Sequence, residues 1–228
     1  MITDLGVFRA NGLVDRRARL YVPPRDAPGD RPLLVMLDGQ NVFGDEGSFA
    51  GGWHADETVD ELESAPAVLA IDHGGDERIA ELGAPKSTKL VAFVDLVIDS
   101  IVPAARERVS FGARYVVGSS MGGLAALYMA VRRPDVFAGA VCMSPSLWFD
   151  RRAIFAWVDQ QPSPPASRIY LDAGAREAGG RLAGVVETMG QRLRLHDVRV
   201  MVRIDPTGTH HESSWRKRLP RALRFVLA

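Results

Sequence analysis

Arg114-Tyr-Val-Val-Gly-Ser-Ser-Met-Gly-Gly-Leu-Ala-Ala-Leu-Tyr128 runs a short apolar stretch (Tyr115, Val116, Val117) into a glycine–serine turn and out into small, helix-compatible residues. Strand, tight turn and helix, with serine at the centre of Gly-x-Ser-x-Gly, is the context in which a nucleophile elbow presents its hydroxyl above a sheet. Such a turn strains the serine backbone and leaves no room for neighbouring side chains, a demand that Gly118 and Gly122 meet. The register selects Ser120, because Ser119 would be flanked by Val117 and Met121. A glycine-rich turn between strand and helix can also cradle phosphate. Here the Gly-x-Gly-x-x-Gly and Gly-x-x-x-x-Gly-Lys-[Ser/Thr] patterns are both missing.

Strand-like and helix-like patterns alternate on both sides of the elbow, which predicts a mainly parallel sheet with helices on both faces. Residues 5–9 and 17–22 read as a strand pair around the turn signal Asn11-Gly12. Leu33-Leu-Val-Met-Leu-Asp38 is nearly all apolar, as a strand buried on both faces must be. Residues 67–72, 115–118, 138–143, 169–172 and 198–204 complete a series of eight strands. Helical patterns fall between them, notably over 90–108 and after Ser120. The expectation is one α/β domain over residues 1–228, undivided by linker or repeat. Residues 147–167 have room for a short helix and a loop with Pro162, Pro164 and Pro165, but not for a lid domain. The site should then be shallow, walled by the loops at 40–53 and 73–89.

Lys plus Arg and Asp plus Glu number 28 each, so the chain carries no net charge. That argues against nucleic acid or a membrane surface as partner. The basic cluster Arg216-Lys-Arg218, with Arg221 and Arg224, is interleaved with Trp215, Leu219, Leu223 and Phe225. It reads as the solvated face of an amphipathic C-terminal helix. A single cysteine, Cys142, excludes an internal disulfide framework and lies in an apolar run typical of a buried thiol. The first residues hold an early acid and no apolar leader core, and no stretch approaches the roughly 18 apolar residues of a membrane span. A cytoplasmic protein is the expectation.

An elbow serine on such a sheet takes its acid after the seventh strand and its histidine after the last. The seventh strand ends at Asp172 and continues as Ala173-Gly-Ala-Arg-Glu177, which offers Asp172 and Glu177. The last strand leads into Pro206-Thr-Gly-Thr-His-His-Glu-Ser-Ser-Trp215, which holds two of the five histidines. Chain order selects neither between His210 and His211 nor between the two acids. One oxyanion donor in such folds is the backbone N–H after the nucleophile, here Met121. The other comes from the loop after the third strand, where Gly39 lets the chain turn the Gln40 N–H toward the serine.

At this point the chain resembles the esterase branch of the α/β-hydrolases, which includes S-formylglutathione hydrolases (esterase D), feruloyl and siderophore esterases, and mycolyltransferases. The resemblance runs from Leu33 to Trp215. It rests on Leu37-Asp-Gly-Gln-Asn-Val-Phe43, Gly118-Ser-Ser-Met-Gly-Gly123, Met143-Ser-Pro-Ser-Leu-Trp148, Gly174-Ala-Arg-Glu177 and Gly208-Thr-His-His-Glu-Ser-Ser-Trp215. It implies an α/β-hydrolase fold with His210 as the catalytic histidine, Glu177 as the acid, and Gln40 and Met121 at the oxyanion positions. Some siderophore esterases of the branch manage with a Ser–His pair, which leaves Asp172 and a two-residue site as alternatives to Glu177.

The reading that follows is a serine hydrolase of carboxylic esters or thioesters, acting on a small-molecule ester through an acyl-enzyme on Ser120. It requires no metal and no organic cofactor, and His210-His-Glu212 lacks the usual metal-ligand spacing. Asn41, Trp53 and Trp148 are candidate substrate contacts, with Phe43 and Phe49, although core packing would claim at least two of these aromatics. An acyltransferase using the same acyl-enzyme and a non-catalytic binding module on the same fold are the rival readings.

Overall fold

A computed structural model of the chain describes residues 1–27, 29–48, 50–162 and 167–228. Eight strands form one sheet: β1 (Ile2–Phe8), β2 (Arg16–Tyr21), β3 (Leu33–Leu37), β4 (Ala67–Ile71), β5 (Arg114–Ser119), β6 (Gly139–Met143), β7 (Arg168–Gly174) and β8 (Arg199–Asp205). Their order across the sheet is β1-β2-β4-β3-β5-β6-β7-β8. β1 with β2 and β2 with β4 run antiparallel, and every other pair is parallel. This is the expected mainly parallel sheet of an α/β-hydrolase. β1 begins earlier than residue 5 because ladder bonds to β2, and not an apolar pattern, hold this largely exposed edge.

The helices are α1 (Ala55–Asp60), α2 (Arg78–Leu82), α3 (Thr88–Leu96), α4 (Val102–Arg106), α5 (Ser120–Arg132), α6 (Phe149–Asp159), α7 (Arg181–Leu195) and α8 (Glu212–Leu227). Alternation along the strands divides the core into two layers. Leu33, Val35 and Leu37 of β3 meet α3 to α7 on one face, while Leu34 and Met36 meet α1 and α8 on the other. Each such side chain contributes roughly 1.5–3 kcal/mol by leaving water. The run expected over 90–108 is not one α-helix: a π-helical segment, Val97–Ile101, joins α3 to α4. Pro103 explains it, since proline donates no N–H and clashes with the preceding turn of a regular helix.

Between β6 and β7 the described residues form α6; Pro164 and Pro165 lie outside the described residues. Among the described residues no helix is long and apolar enough to cross a membrane. One buried ion pair matters for the site. Arg16 of β2 contacts Glu81 of α2, both almost fully buried, and Glu81 also accepts the Val14 N–H at 3.1 Å. The pair pins α2 to the sheet, and with it Arg78.

Candidate active site

The strand order turns back at β3, with β4 on one side and β5 on the other, and the crevice beyond such a switch point is where α/β folds bind ligands. Ser120 sits there at the top of β5 with φ 54°, a left-handed conformation that a non-glycine residue holds only under surrounding constraint. The constraint is visible around it. A Cβ on Gly122 would lie 2.7 Å from Asp38 Oδ2, and one on Gly118 would collide with the Gly122 carbonyl.

Ser120 Oγ lies 3.0 Å from His210 Nε2, and His210 Nδ1 lies 2.8 Å from Glu177 Oε2. With an ionised Glu177 accepting from Nδ1–H, the lone pair falls on Nε2 and the serine hydroxyl donates to it. The Trp215 ring meets His210 edge-on at 5.0 Å, and Trp53 lies behind Trp215 at 5.9 Å. His211 turns away, capping α8 by accepting the Ser213 N–H.

Glu177 is 4% exposed. Its Oε1 accepts the Gly174 N–H at 2.8 Å and the Ser144 hydroxyl at 2.7 Å. Burial alone would raise its pKa. The hydrogen bonds from His210, Ser144 and Gly174 outweigh burial and hold the carboxyl below its ordinary value. Ser144 is saturated in turn, accepting from Trp215 Nε1–H and Arg218 Nη2–H at 2.9 Å each.

Asp172 takes a different place. It is fully buried, accepts the Ser144 N–H at 3.1 Å and forms an ion pair with Arg218 at 3.2 Å that lacks hydrogen-bond alignment. Burial pushes its pKa up to about 6, against the pull of Arg218. His210 therefore meets Glu177, while Asp172 stands behind it.

Met121 follows Ser120 in the first turn of α5, whose leading N–H groups have no helical partner and carry the positive end of the helix dipole. Across the crevice, Asp38 adopts φ 56° and the turn bonds the Asn41 and Val42 N–H groups back to Asp38 and Gly39, leaving the Gln40 N–H out of that pattern. Arg78 holds Asp38 from both sides, Nε to Oδ1 at 2.6 Å and Nη2 to Oδ2 at 2.7 Å.

A cavity of about 340 Å³ opens over Ser120 and His210. Asn41, His73, Arg78, His211, Glu212 and Trp215 are among the residues that line it. Neither Trp53 nor Trp148 borders it. Trp53 is 4% exposed and belongs to the core beneath Trp215, whereas Trp148 is 60% exposed and rests on Phe149. Phe43 is likewise a core residue, against Tyr21, and Phe49 lies outside the described residues. Among the described residues no group of three or more His, Cys, Asp or Glu is arranged to hold a metal ion.

Sequence reasoning assigned no role to Ser144, Arg78 or Glu212, and it counted Arg218 with a solvated helix face. Arg218 is instead 4% exposed. The signal was available: Arg218, Leu219 and Ala222 follow Trp215 at helical spacings of three, four and seven, on the stripe that packs against the sheet.

The chain is similar to the iron(III) salmochelin esterase of Escherichia coli, 29% identical over 217 residues, and to the iron(III) enterobactin esterase of Dickeya dadantii, 28% identical over 233. These alignments cover 88% and 93% of the chain but 52% of each relative, so the chain spans about half the length of the curated proteins it matches. Among solved structures, the fold resembles the siderophore hydrolase EstA of Aspergillus nidulans with a TM-score of 0.77 at 19% identity, covering 98% of this chain and 93% of that one. The enterobactin esterase FES of Shigella flexneri follows with a TM-score of 0.71 at 22% identity, covering 92% and 54%. With an α/β-hydrolase sheet and a family model that matches residues 14–226, the chain belongs to the "Putative esterase" family.

Proposed function

We propose that the protein is a serine hydrolase of small-molecule carboxylic esters, with Ser120, His210 and Glu177 as its triad. The observation that carries this reading is the unbroken hydrogen-bond chain from Ser120 Oγ through the imidazole to Glu177. Family membership and the esterase names of its relatives support the reaction class.

His210 takes the Ser120 proton as Oγ attacks the ester carbonyl. The N–H groups of Met121 and Gln40 receive the oxyanion, and Glu177 stabilises the imidazolium that forms. His210 then protonates the departing alcohol. In the second half it activates water against the acyl-enzyme, which releases the acid and restores Ser120. Asn41, on the cavity wall, is the substrate contact this reading retains.

Hydrolysis of p-nitrophenyl esters from acetate to decanoate, wild type against Ser120→Ala, tests the proposal. The wild type should turn over, and the variant should lose on the order of 10⁶ in kcat. Equal rates in both proteins, or a wild type that neither cleaves these esters nor forms a fluorophosphonate adduct at Ser120, would overturn it.

A further inference from the structure

Resting on that esterase reading, we infer that Glu212, with Arg78 and His73, forms a subsite for the alcohol portion of the substrate, and that this alcohol is a neutral polyol or sugar. The starting point is Glu212. It is 6% exposed and borders the cavity that holds Ser120 and His210, and among the described residues no side chain hydrogen-bonds its carboxylate. Its oxygens are not among the buried groups left without a partner, so they open on the cavity and keep their accepting capacity for what enters it.

The same cavity offers donors. Arg78 spends Nε and Nη2 on Asp38, and Nη1 has no partner among the described residues. Its cationic form is favoured despite burial, by Asp38 first and by the field of Glu212 as well. His73 accepts the Gly75 N–H at Nδ1, 2.9 Å away, and burial lowers its pKa. Its neutral ring therefore carries hydrogen on Nε2, a donor on the same cavity.

The balance of charge selects the ligand class. An ammonium group would meet Arg78, and an anion would meet Glu212 and Asp38. A hydroxyl group suits both the acceptor and the donors that line the cavity, because it donates to a carboxylate and accepts from a guanidinium or an imidazole N–H. Two or more hydroxyls on one small alcohol can engage Glu212 and the donors together. Position assigns the alcohol rather than the acyl half. His210 must reach the leaving oxygen to protonate it, and Glu212, two residues after His210, lines the same cavity.

The test uses two butyrate esters of three-carbon alcohols, glycerol 1-monobutyrate and propyl butyrate, with p-nitrophenyl acetate as reference. The quantity read is the ratio of kcat/KM for the glycerol ester to that for the propyl ester. In the wild type it should be at least tenfold, since a site built to bond hydroxyls discriminates against an analogue lacking them. In Glu212→Gln, which keeps the shape and removes the charge, the ratio should fall at least tenfold. A wild type that treats both esters alike, or cleaves neither while turning over p-nitrophenyl acetate, overturns the inference and leaves the esterase reading standing. A ratio unchanged in Glu212→Gln overturns the role of Glu212. Loss of Ser120-dependent p-nitrophenyl acetate turnover in the wild type would remove the esterase reading, and this inference with it.

Discussion

Glu177 and Glu212 flank the same imidazole loop and are almost equally buried, yet their surroundings are opposite. Glu177 accepts from His210, Ser144 and the Gly174 N–H, and Ser144 is itself held by Trp215 and Arg218. Among the described residues no side chain hydrogen-bonds the Glu212 carboxylate, which opens on the cavity within the field of Arg78. The bonds that meet at Glu177 and Ser144 fix these two side chains in one geometry, because rotating either strands a buried donor or acceptor. The region behind His210 is thus built for rigidity, and the region in front of it is left with bonding capacity for a ligand. On the proposed reading, preorganisation belongs to the acid side of the histidine and specificity to the cavity side.

Within the rear network, the largest effect should come from breaking it at its centre. Glu177→Gln keeps the shape but presents an amide that favours the wrong imidazole tautomer. By analogy with other triads, kcat should fall by on the order of 10⁴. Steady-state kinetics on p-nitrophenyl acetate checks this. A loss smaller than tenfold would mean that the site works as a Ser–His pair and that the network only stabilises the fold.

Asp172 probes the same region through stability. Its folded-state pKa, about 6, lies above the ordinary 3.8, so the folded chain keeps a proton that the unfolded chain releases. Stability contributed by this site is therefore complete below about pH 4 and declines as pH rises to 6. At roughly 1.4 kcal/mol per unit, the full penalty is about 3 kcal/mol. Asp172→Asn does not titrate, so its stability relative to wild type should climb by about 3 kcal/mol between pH 4 and pH 7 in urea denaturation. A flat difference would show Asp172 ionised throughout that range and paired with Arg218.

The parts of this molecule that follow from local pattern were legible in the sequence, and those that depend on meetings between distant loops were not. The glycines around Ser120 and the doubly buried runs of β3 to β7 announce themselves within a few residues. Chain order brought the histidine down to two neighbours and the acid to two candidates. What separates Glu177 from Asp172 is tertiary: the turn at Gly174 carries Glu177 up to the imidazole, while Asp172 stays inside the sheet under Arg218. Ser144 stood within a recognised motif with no role, since its partners come from positions 177, 215 and 218. Aromatic content could not tell a pocket wall from a core, and Trp53 fell to the core.

Ser144→Ala should have an intermediate effect. It removes one hydrogen bond from Glu177 and strands the Trp215 and Arg218 donors, at a cost of about 1–3 kcal/mol in stability. If Ser144 positions the acid of the proposed triad, kcat should fall roughly tenfold while KM holds, because a loosened carboxylate aligns the imidazole less well without touching substrate. Thermal denaturation alongside kinetics separates the two consequences. A drop in stability with unchanged kcat would show that Glu177 needs only His210 and the Gly174 N–H to stay in place.

The smallest effect sharpens the contrast by moving one residue along the loop. His211 borders the cavity, but its side chain is committed to the start of α8, where it accepts the Ser213 N–H. Alanine there should cost about 1 kcal/mol, the usual loss for a helix cap. It should change kcat by only a few fold, through slight fraying of the turn that carries Glu212 and Trp215. His210→Ala in parallel should be as damaging as Ser120→Ala, because the two act as a unit. If His211→Ala proved the more damaging of the two histidine substitutions, the imidazole serving Ser120 would be the neighbouring one. The hydrogen-bond network behind His210 would then have to be reassigned as a structural feature of β7 and α8.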